Sequence, residues 1–436
     1  MPRIRSHCAT FGSDKTLTRA IRGARARADE RADSAYEWRG TPVPGRGRVA
    51  SRLSLYDAAG PAVGHNDFVI ETMSIRAPEY VTRIAPYQAG KPISELAREY
   101  GLREERIIKL ASNENPLGIP ESARAAMAAA VAELGRYPDS NGFELKAAIS
   151  KRYDVAQDCI TLGNGSNDIL ELAAHALLQP GSAAVYSQYS FAVYALATQE
   201  TGARAIVVPA REFGHDLDAM REAIDADTRL VFIANPNNPT GTFIAADAIE
   251  AFLAAVPRDV VVVLDEAYNE YLDPELRFDS ARWLGDFPNL IVSRTFSKAY
   301  GLAGLRVGFG LARPELTDLM NRVRQPFNVN SVALAAATAA LNDEAFLQRS
   351  YVSNRAGLTR LQQAFADMGL EYVPSYGNFV LVKVGDADAI YEGLLRAGII
   401  VRPVGNYGLA QWLRVTVGLP QENEAFLEAF ARVLGR

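Results

Sequence analysis

The chain has 436 residues, 48% of them hydrophobic, and 46 Lys and Arg against 51 Asp and Glu, for a net charge of -5. The length suits one large domain plus a smaller one with a sizeable core, and the charge offers no basic field for nucleic acid or an anionic membrane. Cys8 and Cys159 lack disulfide-framework or zinc-ligand spacing, and no apolar run is long enough to span a bilayer, so the expected partners are small molecules or further copies of the chain, in a reducing cytoplasm.

Residues 1–72 are rich in Gly, Pro and Arg (Arg19, Arg22, Arg25, Arg27, Arg46, Arg48) without a sustained apolar period. They read as a disordered extension or as the product of an upstream start codon, with Met73 as the alternative start. Residues 73–120 are expected to join the small domain. Patterned segments then alternate. Helices are predicted over 121–134 and 144–153, and a third over 167–178, after the glycine-rich Gly163-Asn164-Gly165-Ser166. Short β-branched runs follow at 184–186, 205–208, 230–234, 260–264 and 290–292. Continuous apolar runs separated by helical segments suit a mostly parallel sheet covered on both faces, which makes residues 121–325 a large α/β domain. A long helix over 344–368, strands near 378–384 and 413–417 and a closing helix over 422–433 give a small α+β domain over 326–436.

Three motifs fall where predicted strands end, the place where open α/β sheets hold ligands. They are Asn235-Pro-Asn-Asn-Pro-Thr-Gly241, Asp265-Glu-Ala-Tyr268 and Ser293-Arg-Thr-Phe-Ser-Lys298, with Arg306 eight residues further on. A lysine at the mouth of a buried sheet has its amine desolvated. Set beside Arg294 and Arg306, Lys298 is expected to have a lowered pKa and to act as a nucleophile toward an aldehyde. Asp265 emerges from a buried strand as a carboxylate. Gly165, Ser166 and Asn167 open a helix, so their N–H groups and the helix dipole can face an anion.

The order and spacing of these motifs, from about residue 80 to the C-terminus, resemble the fold-type I pyridoxal 5'-phosphate (PLP) aminotransferases, on the branch that holds the histidinol-phosphate aminotransferases. The resemblance implies a large domain with a seven-stranded, mostly parallel sheet. It makes Lys298 the residue that carries the cofactor and moves the substrate proton, and Asp265 the partner of the pyridine nitrogen. Tyr268 and Asn238 face the ring oxygen, and Thr295, Ser297 and Arg306 join the helix start around the phosphate. Phe191 stacks on the ring, with Tyr189 as its rival. Tyr137, in Arg136-Tyr-Pro-Asp139, reaches the cofactor of a neighbouring subunit, which implies a homodimer with the active site at its interface. Arg414 and Arg402 clamp the substrate anion, with Tyr87 and Asn113 beside them.

The implied reaction moves the amino group of L-histidinol phosphate to 2-oxoglutarate. Trp412 places an indole two residues from Arg414, which bears on substrate choice, so an aromatic amino acid aminotransferase is the alternative, with a PLP decarboxylase of the same fold as a third reading. A PLP-binding transcription regulator is disfavoured, since residues 1–72 lack the paired amphipathic helices of a helix-turn-helix.

Overall fold

The computed structural model describes residues 76–87 and 90–435. The expectations placed on residues 1–72 lie outside the described residues. The first strand, β1 (Ile108–Lys109), is followed by β2 (Ile160–Gly163), β3 (Ala183–Ser187), β4 (Arg204–Val208), β5 (Thr228–Ala234), β6 (Val261–Asp265), β7 (Leu290–Thr295) and β8 (Gly308–Ala312). Strands β2 to β8 form one seven-stranded sheet in the order β2-β8-β7-β6-β5-β3-β4. Strand β8 runs antiparallel to both its neighbours and the remaining pairs are parallel, so the sheet is mostly parallel as expected.

The apolar runs are continuous because both faces of the sheet are buried. Val231, Ile233, Val262, Leu264, Leu290 and Val292 enter one core. Leu230, Phe232, Ala234, Val261, Val263 and Ile291 enter the core on the opposite face. Each such side chain contributes roughly 1.5–3 kcal/mol by leaving water, so the register of the central strands is strongly specified. The period-2 alternation carries through the strand end, so Asp265 and Glu266 leave β6 toward opposite faces.

The C-terminal region adds β9 (Tyr372–Val373), β10 (Phe379–Lys383), β11 (Ile399–Ile400), β12 (Arg402–Pro403) and β13 (Trp412–Thr416). Four of these pair antiparallel in the order β12-β13-β10-β9, while β11 pairs parallel with β1. Two packing details differ from the expected boundaries. The Ala-rich helix Ser331–Leu341, placed after the 325/326 boundary by sequence, buries Ala333, Ala336, Ala337 and Ala340 in a core of the seven-stranded sheet. Its alanines let it lie close to its neighbours, a packing property that leaves no boundary signal in the sequence. The N-terminal segment also divides. The helix Ile93–Tyr100 buries Leu96 against Leu395 and Ile400 of the C-terminal region, whereas Tyr80 lies against Gly202 and Pro180 of the sheet domain. The helix Glu344–Asp367 spans both cores, with Phe346 and Leu347 at one end and Leu358, Leu361 and Phe365 toward the other.

Candidate active site

The C-terminal ends of β2, β3, β5, β6 and β7 open onto one cleft. Its walls include Lys298, Asp265, Tyr268, Asn238, Ser166, Asn167, Phe191, Thr295, Ser297 and Arg306 from the sheet domain. Tyr87, Asn113, Arg402 and Arg414 close it from the other side. Of the expected residues, Gly165 lies just behind the wall against Arg306, and Tyr137 is not part of the cleft wall, being 82% exposed and stacked on Phe327 at 4.8 Å.

Lys298 follows β7 by three residues, and its Nζ donates to the Ser112 carbonyl at 3.1 Å. Burial, then the nearby Arg414 and Arg306 guanidinium groups, bring its pKa down to about 7, against the opposing pull of Glu114 and Asp265. The expected role of Arg294 in this shift is not what the structure shows. Arg294 turns to the opposite face, where it pairs with Glu266 at 2.6 Å and lies 3.8 Å from Glu270. The reason is strand alternation, which sequence proximity to Lys298 obscures.

Asp265 is 5% exposed and burial raises its pKa to about 6, despite the Tyr194 hydroxyl that donates to its Oδ2 at 2.9 Å and the Ala267 N–H on Oδ1. Tyr194 escaped the sequence reading. Its one available signal is its place one helical turn after Phe191, on the helix Ala192–Glu200. Its ring stacks on Phe232 at 4.7 Å and meets the Phe191 ring edge-on at 6.0 Å, so Phe191 and Asp265 share one buried support. The rival of Phe191, Tyr189, packs against Phe213 and is absent from the cleft wall.

The helix start is shaped by close approach. Gly165 has φ +85°, and a Cβ there would come within 2.7 Å of Arg306 Nη2. A Cβ on Gly308, in β8, would come within 2.5 Å of the Ser166 nitrogen. Both positions therefore hold glycine so that the helix Ser166–Leu177, the Arg306 guanidinium and strand β8 can meet. Arg306 donates to the Asn164 and Ala303 carbonyls at 3.3 and 3.0 Å and reaches Ser297 Oγ at 3.4 Å, so its fork is oriented but meets no carboxylate among the described residues.

On the facing wall, Arg402 and Arg414 stand directly opposite each other in the β12–β13 pair, which puts both on one face. Arg414 donates to Asn238 Oδ1 at 2.6 Å and to the Ala111 carbonyl at 2.7 Å, while its buried Nε has no partner among the described residues. No carboxylate of the described residues lies in ion-pair reach of it, and burial pulls its pKa down. Arg402 sits 5.9 Å over the Tyr87 ring. Two guanidinium groups on one face of this wall suit an anion that lies between them. Trp412 is 6% exposed, packs edge-on against Phe213 at 5.0 Å and is not part of the cleft wall.

The family model for aminotransferase class I and II matches residues 105–430. Histidinol-phosphate aminotransferase 1 of Cupriavidus pinatubonensis is 70% identical over 361 residues, which cover 82% of this chain and 96% of that protein. Histidinol-phosphate aminotransferase 2 of Ralstonia nicotianae is 66% identical over 363 residues, covering 82% and 97%. Among solved structures, histidinol-phosphate aminotransferase from Sinorhizobium meliloti in complex with pyridoxal-5'-phosphate matches with a TM-score of 0.77 at 29% identity, over 84% of this chain and 99% of that one. The motifs at the strand ends, the cleft they build and these similarities lead to one assignment: the chain belongs to the class I and II aminotransferases, on the branch of the histidinol-phosphate aminotransferases.

Proposed function

We propose that this enzyme transfers the amino group of L-histidinol phosphate to 2-oxoglutarate, giving imidazole-acetol phosphate and glutamate, with PLP as cofactor. The observation that carries the reading is the pairing of two anion-seeking sites across one cleft. On one side stand the helix start and Arg306, and on the other Arg402 and Arg414. The names of the relatives at 70% and 66% identity support the choice of substrate.

The residues present fit PLP. The glycine cradle at Gly165 and the Arg306 fork suit its phosphate, helped by Ser166, Asn167, Thr295 and Ser297. The buried Asp265 carboxylate suits a protonated pyridine nitrogen, and Phe191 suits the ring face. When bound, the cofactor draws electrons away from the substrate carbon that loses its proton. Lys298 would hold it covalently. With a pKa of about 7, Lys298 Nζ can take that proton and return it at neutral pH. Tyr268 and Asn238 would meet the ring oxygen. Arg414 and Arg402 would bind the phosphate ester of one substrate and a carboxylate of the other, with Tyr87 and Asn113 at the edge of that site.

We place the enzyme in the cytoplasm as a homodimer. Tyr137 and Phe327 form an exposed aromatic pair, and Leu134 and Phe143 beside Tyr137 in sequence are exposed as well. Such apolar exposure suits a subunit interface, where Tyr137 would reach the partner's cofactor phosphate.

Single-turnover spectra of the cofactor-loaded enzyme with histidinol phosphate, histidinol, phenylalanine and glutamate test the reading. Histidinol phosphate and glutamate should both convert the cofactor, and plain histidinol should react poorly because it brings no second anion to the buried Arg414. Faster conversion by phenylalanine than by histidinol phosphate would give the enzyme to aromatic amino acids instead.

A further inference from the structure

Tyr268 ends a short chain of buried hydrogen bonds that begins on β13, two residues beyond Arg414. The Asn113 backbone N–H donates to Thr416 Oγ1 at 3.0 Å, and the Thr416 hydroxyl donates to Asn113 Oδ1 at 3.0 Å. The Asn113 Nδ2 then donates to the Tyr268 hydroxyl oxygen at 2.9 Å. All three residues are nearly dry, at 1%, 3% and 4% exposure, so water does not compete for these bonds.

A carboxamide between two hydroxyls could face either way, because each hydroxyl both donates and accepts. The backbone N–H breaks the symmetry. It occupies one lone pair of Thr416 Oγ1, and the Thr416 proton must still find an acceptor. Asn113 Oδ1 accepts it. Turning the carboxamide over would leave that proton buried without a partner, the most costly outcome for a polar group. The backbone is held as well: Asn113 has φ +54°, a conformation that asparagine tolerates, and Asn378 Nδ2 donates to its carbonyl at 3.0 Å.

With Nδ2 fixed toward it, the Tyr268 oxygen accepts from Asn113 and its own proton remains free to donate elsewhere. We propose that Thr416 and Asn113 are positioning residues that direct the Tyr268 hydroxyl proton into the cleft, which makes Tyr268 a donor to the ring oxygen of the cofactor. This rests on the reading that Tyr268 meets that oxygen. The ring oxygen bears most negative charge when the bound cofactor has lost its titrating proton, so a donor there lowers the pH at which the visible absorbance band changes.

The test is a pH titration of that band in the PLP-loaded enzyme. Tyr268→Phe should raise the midpoint by about one to two pH units, the value of a hydrogen bond to a charged acceptor. Thr416→Val should raise it in the same direction by about half to one unit, and Thr416→Ser, which keeps the hydroxyl, should restore the wild-type midpoint. The double variant Thr416→Val/Tyr268→Phe should match Tyr268→Phe alone, because the relay acts only through that hydroxyl. Should Thr416→Val fail to fold, Asn113→Gly keeps the backbone conformation and predicts the same upward shift and the same lack of additivity. A wild-type midpoint in Thr416→Val with a raised one in Tyr268→Phe would overturn the relay and leave the Tyr268 reading standing, as would full additivity in the double variant. No shift in Tyr268→Phe would overturn the reading of Tyr268 itself, and the relay with it.

Discussion

Asp265 and Glu266 are neighbours in sequence, both buried, and their surroundings differ in the way that separates a structural charge from a chemical one. Glu266 meets Arg294 at 2.6 Å and accepts from Ser280 at 2.8 Å, and the Arg294 guanidinium also lies 4.9 Å from the Tyr153 ring. Each of these groups finds a counter-charge or hydrogen-bond partner within the chain, although Glu266 Oε1 accepts no hydrogen bond among the described residues. Asp265, on the other face of β6, has a tyrosine hydroxyl and one backbone N–H, and among the described residues no cation forms an ion pair with it. Lys298 and Arg414 share that side and are similarly underpaired. Charges that the fold leaves uncompensated in a dry place need an outside partner, and perturbed groups of this kind gather where chemistry is done.

The largest expected effect lies on the open side. Lys298→Ala should lower kcat/KM by at least about 10³-fold, since the group proposed to move the proton is gone, yet its thermal melting temperature should match or exceed that of wild type because a buried amine has been removed. Near wild-type turnover would end its assignment. The closed side should answer in the reverse manner. Arg294→Ala leaves Glu266 buried without its cation and should destabilise the protein by about 3–5 kcal/mol in denaturant titrations, with residual activity in whatever remains folded. A small stability loss accompanied by a selective loss of activity would erase the distinction between the two sides.

Between these extremes stands Arg414→Ala. Loss of a charge-assisted contact to an anion should reduce kcat/KM by about 30-fold to 1000-fold in both half-reactions. Measuring the two half-reactions separately checks it: damage confined to one would mean that the two substrates place their anions on different arginines.

Much of this contrast could be read in advance, and the part that could not has a physical cause. The strand-end motifs put Lys298, Asp265 and Asn238 at the cleft because each follows a continuous apolar run, and such runs mark strands buried on both faces, while Arg306 came in with the Lys298 motif eight residues before it. Strand β8 was not foreseen, since Gly308-Phe-Gly-Leu-Ala312 carries two glycines that read as loop, although Gly308 serves the close approach of the helix start at Ser166. Tyr194 and Ser112 joined the site through tertiary contacts, one by a hydroxyl reaching Asp265 across 71 residues of sequence and the other by a carbonyl 186 residues from Lys298. Arg294 was misplaced for a related reason: four residues of separation from Lys298 say nothing about which face of the sheet a side chain leaves by.

The smallest effect is also the most direct measure of the unpaired side, and it is read as stability against pH in the cofactor-free protein. Burial raises the Asp265 pKa to about 6 from an ordinary 3.8. Between those values the folded chain holds a proton that the unfolded chain has released, so the contribution of Asp265 to stability falls as pH rises and is fully lost above about 6. Asp265→Asn removes this term. The variant should equal wild type near pH 4 and exceed it by about 2 to 3 kcal/mol above pH 6. Lys298 gives the mirror window. Its folded pKa of about 7 lies below the ordinary 10.5, so the unfolded chain binds more protons between these values and wild-type stability rises across them. Lys298→Met should therefore be the more stable protein below pH 7, with the gap closing toward pH 10. A gap between Asp265→Asn and wild type that stays flat from pH 4 to 7 would mean that Asp265 already has its counter-charge inside the chain, and the contrast with Glu266 would disappear.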